Sequence, residues 1–227
     1  MLPRVLEPEV MDTPEEARDY DAMDHAEVNA RFCDDLLALG PVRLVLDVGT
    51  GTAQIPVALC ARAPEAQIVA IDLAEHMLAL GRENVARAGL TARIRLERLD
   101  AKALPYEDGA FETVVSNSIV HHIPSPEAVL REMWRVTAPG GRLFVRDLHR
   151  PGTEPEVDRL VSLYGGVRPS AEELVASFDH QLSLFRSSLH AALTVDEVRE
   201  VIAPLGIAAS AVTMTSDRHW TLSCVKT

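Results

Sequence analysis

The segment Asp47-Val48-Gly49-Thr50-Gly51-Thr52-Ala53 joins an apolar run to a helical pattern and combines two glycines with a preceding acid. Glycines let the main chain turn tightly and let a ligand approach the backbone. A helix start offers amides to a carboxylate or phosphate. Asp47, two residues before Gly49, puts a carboxylate near that bend, where it attracts a cationic group directly or through water. Asp72 closes the next apolar run, 21 residues after Gly51. A carboxylate at that place accepts hydrogen bonds from both hydroxyls of a ribose. A second set of polar groups able to take or orient a proton follows later: His121 and His122 in Ser116-Asn117-Ser118-Ile119-Val120-His121-His122-Ile123-Pro124, then Asp147 and His149 in Arg146-Asp147-Leu148-His149-Arg150-Pro151.

These residues need a scaffold that brings distant segments together, and the hydrophobic pattern supplies one. Continuous apolar runs at 42–48 and 67–71, an alternating run at 94–99, and further runs at 111–116 and 142–146 read as strands. Helical patterns separate them at about 53–62, 74–88 and 126–136. Gly89 closes the second as a left-handed cap, and Ser125-Pro126 opens the third. Strands and helices in alternation imply an α/β fold: an open, doubly wound, Rossmann-like parallel sheet with helices on both faces. Such sheets bind ligands outside the carboxyl ends of their strands, at the topological switch point. The loops after residues 48, 71, 99, 116 and 146 therefore surround one cleft. Residues 1–40 read as an acidic, mostly helical arm, 41–150 as the ligand-binding core, and 151–190 as two helical pieces forming a lid. Residues 191–227 read as a helix and an edge hairpin of strands 208–214 and 219–225 that complete the sheet. Capping boxes begin at Ser170 and Thr194, and Pro139-Gly140-Gly141 reads as a turn before the fifth strand.

Composition narrows the function. The 227 residues carry 34 acidic and 22 basic side chains, a net charge of −12. Eleven of the acids (Glu7, Glu9, Asp12, Glu15, Glu16, Asp19, Asp21, Asp24, Glu27, Asp34 and Asp35) face only Arg18 and Arg31 within residues 7–35. That segment repels a phosphate polyanion, so nucleic acid is a poor partner. No run reaches the length of a membrane helix, and Met1-Leu2-Pro3-Arg4 lacks the layout of a signal peptide, so a cytoplasmic protein without membrane insertion is expected. Cys33, Cys60 and Cys224 are widely spaced and read as reduced thiols, with no metal site.

Three observations favour S-adenosylmethionine over a nicotinamide dinucleotide. The third small residue of a dinucleotide loop falls at Gln54; Asp47 occupies a position that is normally apolar in such loops; and Asp72 ends the second strand, although this last feature fits either ligand. At this point the chain resembles the class I S-adenosylmethionine-dependent methyltransferases. The resemblance rests on Val45-Leu46-Asp47-Val48-Gly49-Thr50-Gly51-Thr52, Ala70-Ile71-Asp72-Leu73, Asp100-Ala101, Phe111-Glu112-Thr113-Val114-Val115-Ser116-Asn117 and Ala138-Pro139-Gly140-Gly141-Arg142-Leu143, in order over about 41–147. It implies a seven-stranded sheet, mostly parallel with a reversed edge strand. It also implies contact of Asp100 with the adenine amino group and of the Ala101 amide with the ring. The candidate cofactor residues are Tyr20, Asp47, Gly49, Thr50, Gly51, Asp72, Leu73, Met77, Asp100, Ala101 and Asn117. Tyr20, in Tyr20-Asp21-Ala22-Met23, would reach the cofactor's carboxylate.

The fourth-strand loop lacks the prolines of an N-P-P-Y-like sequence, as found in enzymes that methylate nucleic-acid amines, and instead resembles the histidine-rich stretch of ubiquinone/menaquinone C-methyltransferases and related natural-product enzymes. The resemblance implies methyl transfer to a small-molecule acceptor by in-line displacement in a monomer or homodimer, with His121, His122, Asp147 and His149 as catalytic candidates. Tyr164, Arg168, Phe178, Phe185 and Arg186 are candidates for the acceptor pocket. The alternative readings are an S-adenosylmethionine-binding protein without turnover, a nicotinamide oxidoreductase, and a protein or RNA methyltransferase.

Overall fold

Apolar side chains stand at consecutive positions in Leu44–Val48 (β1) and Gln67–Asp72 (β2), because both faces of a parallel sheet are covered. The two strands pair in parallel, Leu44 opposite Gln67 and Val48 opposite Ile71. Ile94–Arg98 (β3) flanks β2, and Phe111–Asn117 (β4) flanks β1 on its other side. In the computed structural model, which describes residues 2–7, 10, 12–23, 25–168 and 170–227 apart from the side chains of Glu173, Leu174 and Ala176, the sheet has seven strands. Met1, Glu9 and Asp24 of the sequence reading lie outside the described residues.

Thr137–Leu148 (β5) pairs with β4, and the strand order is β3-β2-β1-β4-β5, followed by His219–Val225 (β7) and Val212–Met214 (β6). β7 runs antiparallel to both neighbours. The order reverses between β1 and β4, so the switch point lies at their carboxyl ends, where the glycine bend and the His121-His122 loop leave the sheet.

Two expectations change in detail. Pro139-Gly140-Gly141 lies inside β5 as a bulge, not before it: Phe111 pairs with Thr137, and the next pair is Thr113 with Arg142. A Cβ on Gly141 would stand 2.8 Å from the carbonyl oxygens of Ala138 and Glu112, so this crossing requires glycine. In the hairpin, residues 209–211 form a single 3-10 turn, which shortens β6.

Pro14–Ala22 (α1), Ala26–Ala38 (α2), Gln54–Arg62 (α3), Glu75–Arg87 (α4), Pro126–Val136 (α5), Glu154–Tyr164 (α6), Glu172–Ala191 (α7) and Val195–Ile202 (α8) complete the chain. One sheet face is covered by Val129, Leu130 and Met133 of α5 and by Val198 and Ile202 of α8. The other is covered by Phe32, Cys33 and Leu36 of α2 and by Leu59 and Cys60 of α3. Thr194 and Glu197 form the expected capping box. Ser125 occupies the N-cap of α5 without a side-chain cap bond, and α7 starts one residue later than expected, with Ala171 at its N-cap. The three cysteines are free thiols, Cys33 and Cys60 buried and Cys224 half-buried.

Candidate functional site

The glycine bend is fastened to the end of β2. The amides of Gly49 and Thr50 both donate to the Ile71 carbonyl at 2.9 Å. The Gly51 amide donates to Asp72 Oδ2 at 2.8 Å, and the Ala74 amide donates to Asp72 Oδ1 at 2.9 Å. Both glycines have positive φ, +75° at Gly49 and +56° at Gly51, but for different neighbours. A Cβ at Gly49 would stand 2.2 Å from Ile119 Cγ2; one at Gly51 would meet only Tyr20 Cε1, at 3.5 Å. Gly49 thus makes room for the loop after β4, and Gly51 leaves backbone exposed toward the cleft.

That cleft is half open to solvent and has a cavity volume of about 140 Å³. Of the candidate cofactor residues, Tyr20, Gly49, Gly51, Asp72, Leu73, Met77, Asp100, Ala101 and Asn117 line it; Asp47 and Thr50 lie behind the bend. Asp47 is 3% exposed, and burial raises its pKa to about 7, opposed by a hydrogen bond with the Thr50 side chain and helped slightly by Asp72. The Asp47 carboxylate and the Thr50 and Thr52 hydroxyls are gathered, buried, around the bend. Together they form a polar niche suited to an ammonium group or its bridging water. Asp72 is also pushed upward by burial, opposed by the amides of Ala74, Gly51 and Leu73. With each oxygen already holding one amide, further lone pairs face the cleft. An adenosine moiety carrying a cationic amino acid fits this donor set.

Gln54, at the third-glycine position of a dinucleotide loop, is used differently. Its Nε2 donates to Asp21 Oδ1 at 3.3 Å, and its Oε1 accepts from Asn29 at 3.2 Å, tying α1 and α2 to the bend. The arm docks further through Asp12, which accepts the His76 amide at 2.9 Å. That places Val10 and Tyr20 over the cleft beside Met77. Burial, then Asp72 and Asp47, push the Tyr20 phenol up to about 12, so it remains a neutral donor.

Only His122 among the four proton-handling candidates lines the cleft. His121 lies beneath it, 3% exposed, with Nδ1 2.5 Å from Asp147 Oδ1. Asp147 Oδ2 also accepts the amides of Val120 and His121, at 2.6 and 3.1 Å, so the pair anchors the loop. Burial opposes charge on both partners, yet their mutual attraction holds Asp147 below and His121 above the ordinary value. His149 stands apart: its amide donates to the Arg218 carbonyl, and burial with neighbouring Arg150 lowers its pKa. Nor do the acceptor-pocket candidates reach the cleft lining. Tyr164 donates to Asp217 under the Arg218 guanidinium, Arg168 pairs with Asp179, Arg186 pairs with Asp158, and Phe185 packs between α6 and α7.

Among the other lining residues, Ser118, Ile119 and Ile123 belong to the loop after β4 that the sequence places at the cleft, whereas Val10 and Lys102 were not singled out. Ser118 has φ +59°, a left-handed conformation unusual outside glycine, and it turns the loop into the cleft. A non-glycine residue at such an angle leaves no mark on composition or periodicity.

A methyltransferase domain family matches residues 46–145. A demethylmenaquinone methyltransferase of Shouchella clausii is 33% identical over 164 residues, covering 71% of this chain and 69% of the relative. One of Thermus thermophilus is 40% identical over 121 residues, covering 53% of this chain and 54% of the relative, so the chain spans about half of that protein. The solved structure of a SAM-dependent methyltransferase from Aquifex aeolicus superimposes with a TM-score of 0.69 at 18% identity, covering 96% of this chain and 100% of the other; that likeness concerns the fold.

Proposed function

The chain belongs to the class I S-adenosylmethionine-dependent methyltransferases, and from that premise we propose that it methylates a small molecule seated against His122. One observation carries the reading: a single cleft is lined by the glycine bend, Asp72 and Asp100 as well as by His122, Ile119 and Ile123. Bound S-adenosylmethionine supplies an electrophilic methyl group on a sulfonium. Asp72 would hold the ribose hydroxyls, Asp100 and the Ala101 amide the adenine, and the niche behind Gly51 the amino-acid end. Leu73, Met77 and Asn117 would complete the walls, and Tyr20 would cover them.

The protein's contribution to an in-line displacement is position and exclusion of water. Val10, Ile119 and Ile123 supply an apolar wall for a ring, and His122 orients or deprotonates a hydroxyl on it. The curated relatives named above are demethylmenaquinone methyltransferases, which supports a hydroquinone-like acceptor. The acidic surface supports a small molecule over nucleic acid, and a cytoplasmic setting matches three free thiols. The 1–40 arm is proposed as the principal cover of the cleft, and 151–190 as the support behind the His121-His122 loop.

The test is transfer of tritium from S-adenosylmethionine labelled in the methyl group to a panel of naphthohydroquinones, phenols and amines. We expect label in a hydroquinone or phenol product, with stoichiometric S-adenosylhomocysteine. Binding of S-adenosylhomocysteine without label transfer to any of the panel would reject this acceptor class.

A further inference from the structure

The segment before α1 carries Glu7 against the histidine pair. Glu7 Oε1 lies 3.1 Å from His122 Nδ1 and 3.7 Å from His121 Nε2, and one ligand atom from each residue lies within 4.8 Å of the other two. Asp147 accepts from His121 Nδ1, which leaves Nε2 as the lone-pair nitrogen of the neutral ring. That lone pair faces a carboxylate oxygen across a gap too long for a hydrogen bond. His122 Nδ1, at 3.1 Å, stands at hydrogen-bonding distance from the same carboxylate oxygen. Two imidazoles and a carboxylate thus converge on one small volume, which a proton or a metal cation can fill.

We propose that Glu7, His121 and His122 bind a divalent transition-metal cation. Two imidazole nitrogens and one carboxylate oxygen form a borderline donor set suited to zinc or cobalt. Supporting partners are in place on both sides: Asp147 orients His121, and Ser188 Oγ donates to Glu7 Oε1 at 3.0 Å. The Arg4 guanidinium is the nearby opposing charge, and it is directed to the carbonyl oxygens of His121 and Ile123, at 3.1 and 3.0 Å. Ligand atoms around zinc stand roughly 3–3.5 Å apart, so the cluster closes by about an ångström on binding. Three protein ligands leave a coordination position open. Because His122 also lines the cleft, the cation borders the acceptor end, where an acceptor oxygen could take that position.

The experiment titrates chelator-stripped protein with zinc chloride and, separately, with cobalt chloride, read by calorimetry and by visible absorption. Neither cofactor nor acceptor is present, so the outcome does not depend on the methyl-transfer reading. One equivalent should bind, with cobalt bands of a four- or five-coordinate site. Glu7→Gln and His122→Asn should each weaken zinc binding at least about tenfold. The Gln variant keeps the size of Glu7, and its thermal unfolding reports whether it folds. Failure of the wild type to take up either metal, or equal zinc affinity in wild type and both variants, would overturn the site.

Discussion

Asp72 and Gly51 are locked together: the amide of the glycine donates to one carboxylate oxygen at 2.8 Å, and the carboxylate also lines the cleft. The group proposed to receive the ribose therefore also fixes the bend proposed to receive the amino-acid end. The two halves of the site are one mechanical unit, and substitutions at either residue should be read for both effects.

Asp72→Ala removes the proposed ribose contacts and the clamp on Gly51. Hydrogen bonds to a charged group contribute about 1.5–3 kcal/mol, so S-adenosylhomocysteine affinity should fall roughly ten- to 150-fold. Calorimetry on the folded variant decides the matter. Wild-type affinity would dismiss the ribose assignment.

The two glycines of the bend should fail differently when replaced by alanine. At Gly49 the new Cβ collides with Ile119, adding overpacking to a left-handed backbone, and urea unfolding should show a loss of roughly 3 kcal/mol. At Gly51 there is space, and only the backbone cost of about 1–2 kcal/mol applies. The Gly51 variant should instead show the greater loss of cofactor affinity relative to its stability change. Equal stability losses in the two variants would contradict the packing described for Ile119.

Much of this site was legible because its signals are local. Asp47, Gly49 and Gly51 sit in seven consecutive residues, and Asp72 and Asp100 follow from the rule that parallel strands gather their carboxyl ends. The bulge at Gly141 was not legible, since its tight contact is the carbonyl of Glu112 on a neighbouring strand. Nor could adjacency tell which of His121 and His122 faces the cleft. That orientation is set by Asp147, 26 residues beyond His121. Glu7 gave no signal because its partners lie more than a hundred residues away: His121, His122 and Ser188.

Asp47 gives a pH dependence of definite sign. Its folded pKa of about 7 exceeds the unfolded value of about 3.9. The native state therefore binds the extra proton between these values. The associated stability is fully present below pH ~4, declines as pH rises, and is gone above pH ~7. Asp47→Asn lacks this titration. Wild-type stability relative to the variant should therefore fall between pH 4 and 8, by at most about 4 kcal/mol. Unfolding curves at several pH values test this, and parallel trends would refute it. An ammonium group seated beside Asp47 favours the ionised form. Binding of S-adenosylhomocysteine near pH 7 should accordingly release a proton, seen as a dependence of the binding heat on buffer ionisation enthalpy.

His122 separates cofactor binding from transfer. It lines the cleft beside Ile119 and Ile123, whereas the loop itself is anchored by His121 on Asp147. Replacement by alanine should spare that anchor and the S-adenosylhomocysteine affinity while lowering kcat for a hydroxyl acceptor by about 10²–10⁴-fold if the ring takes the proton. A loss confined to KM would assign it to orientation of the acceptor in the ground state. Unaltered kcat and KM in the alanine variant would remove His122 from the reaction and move the acceptor to another wall of the cleft.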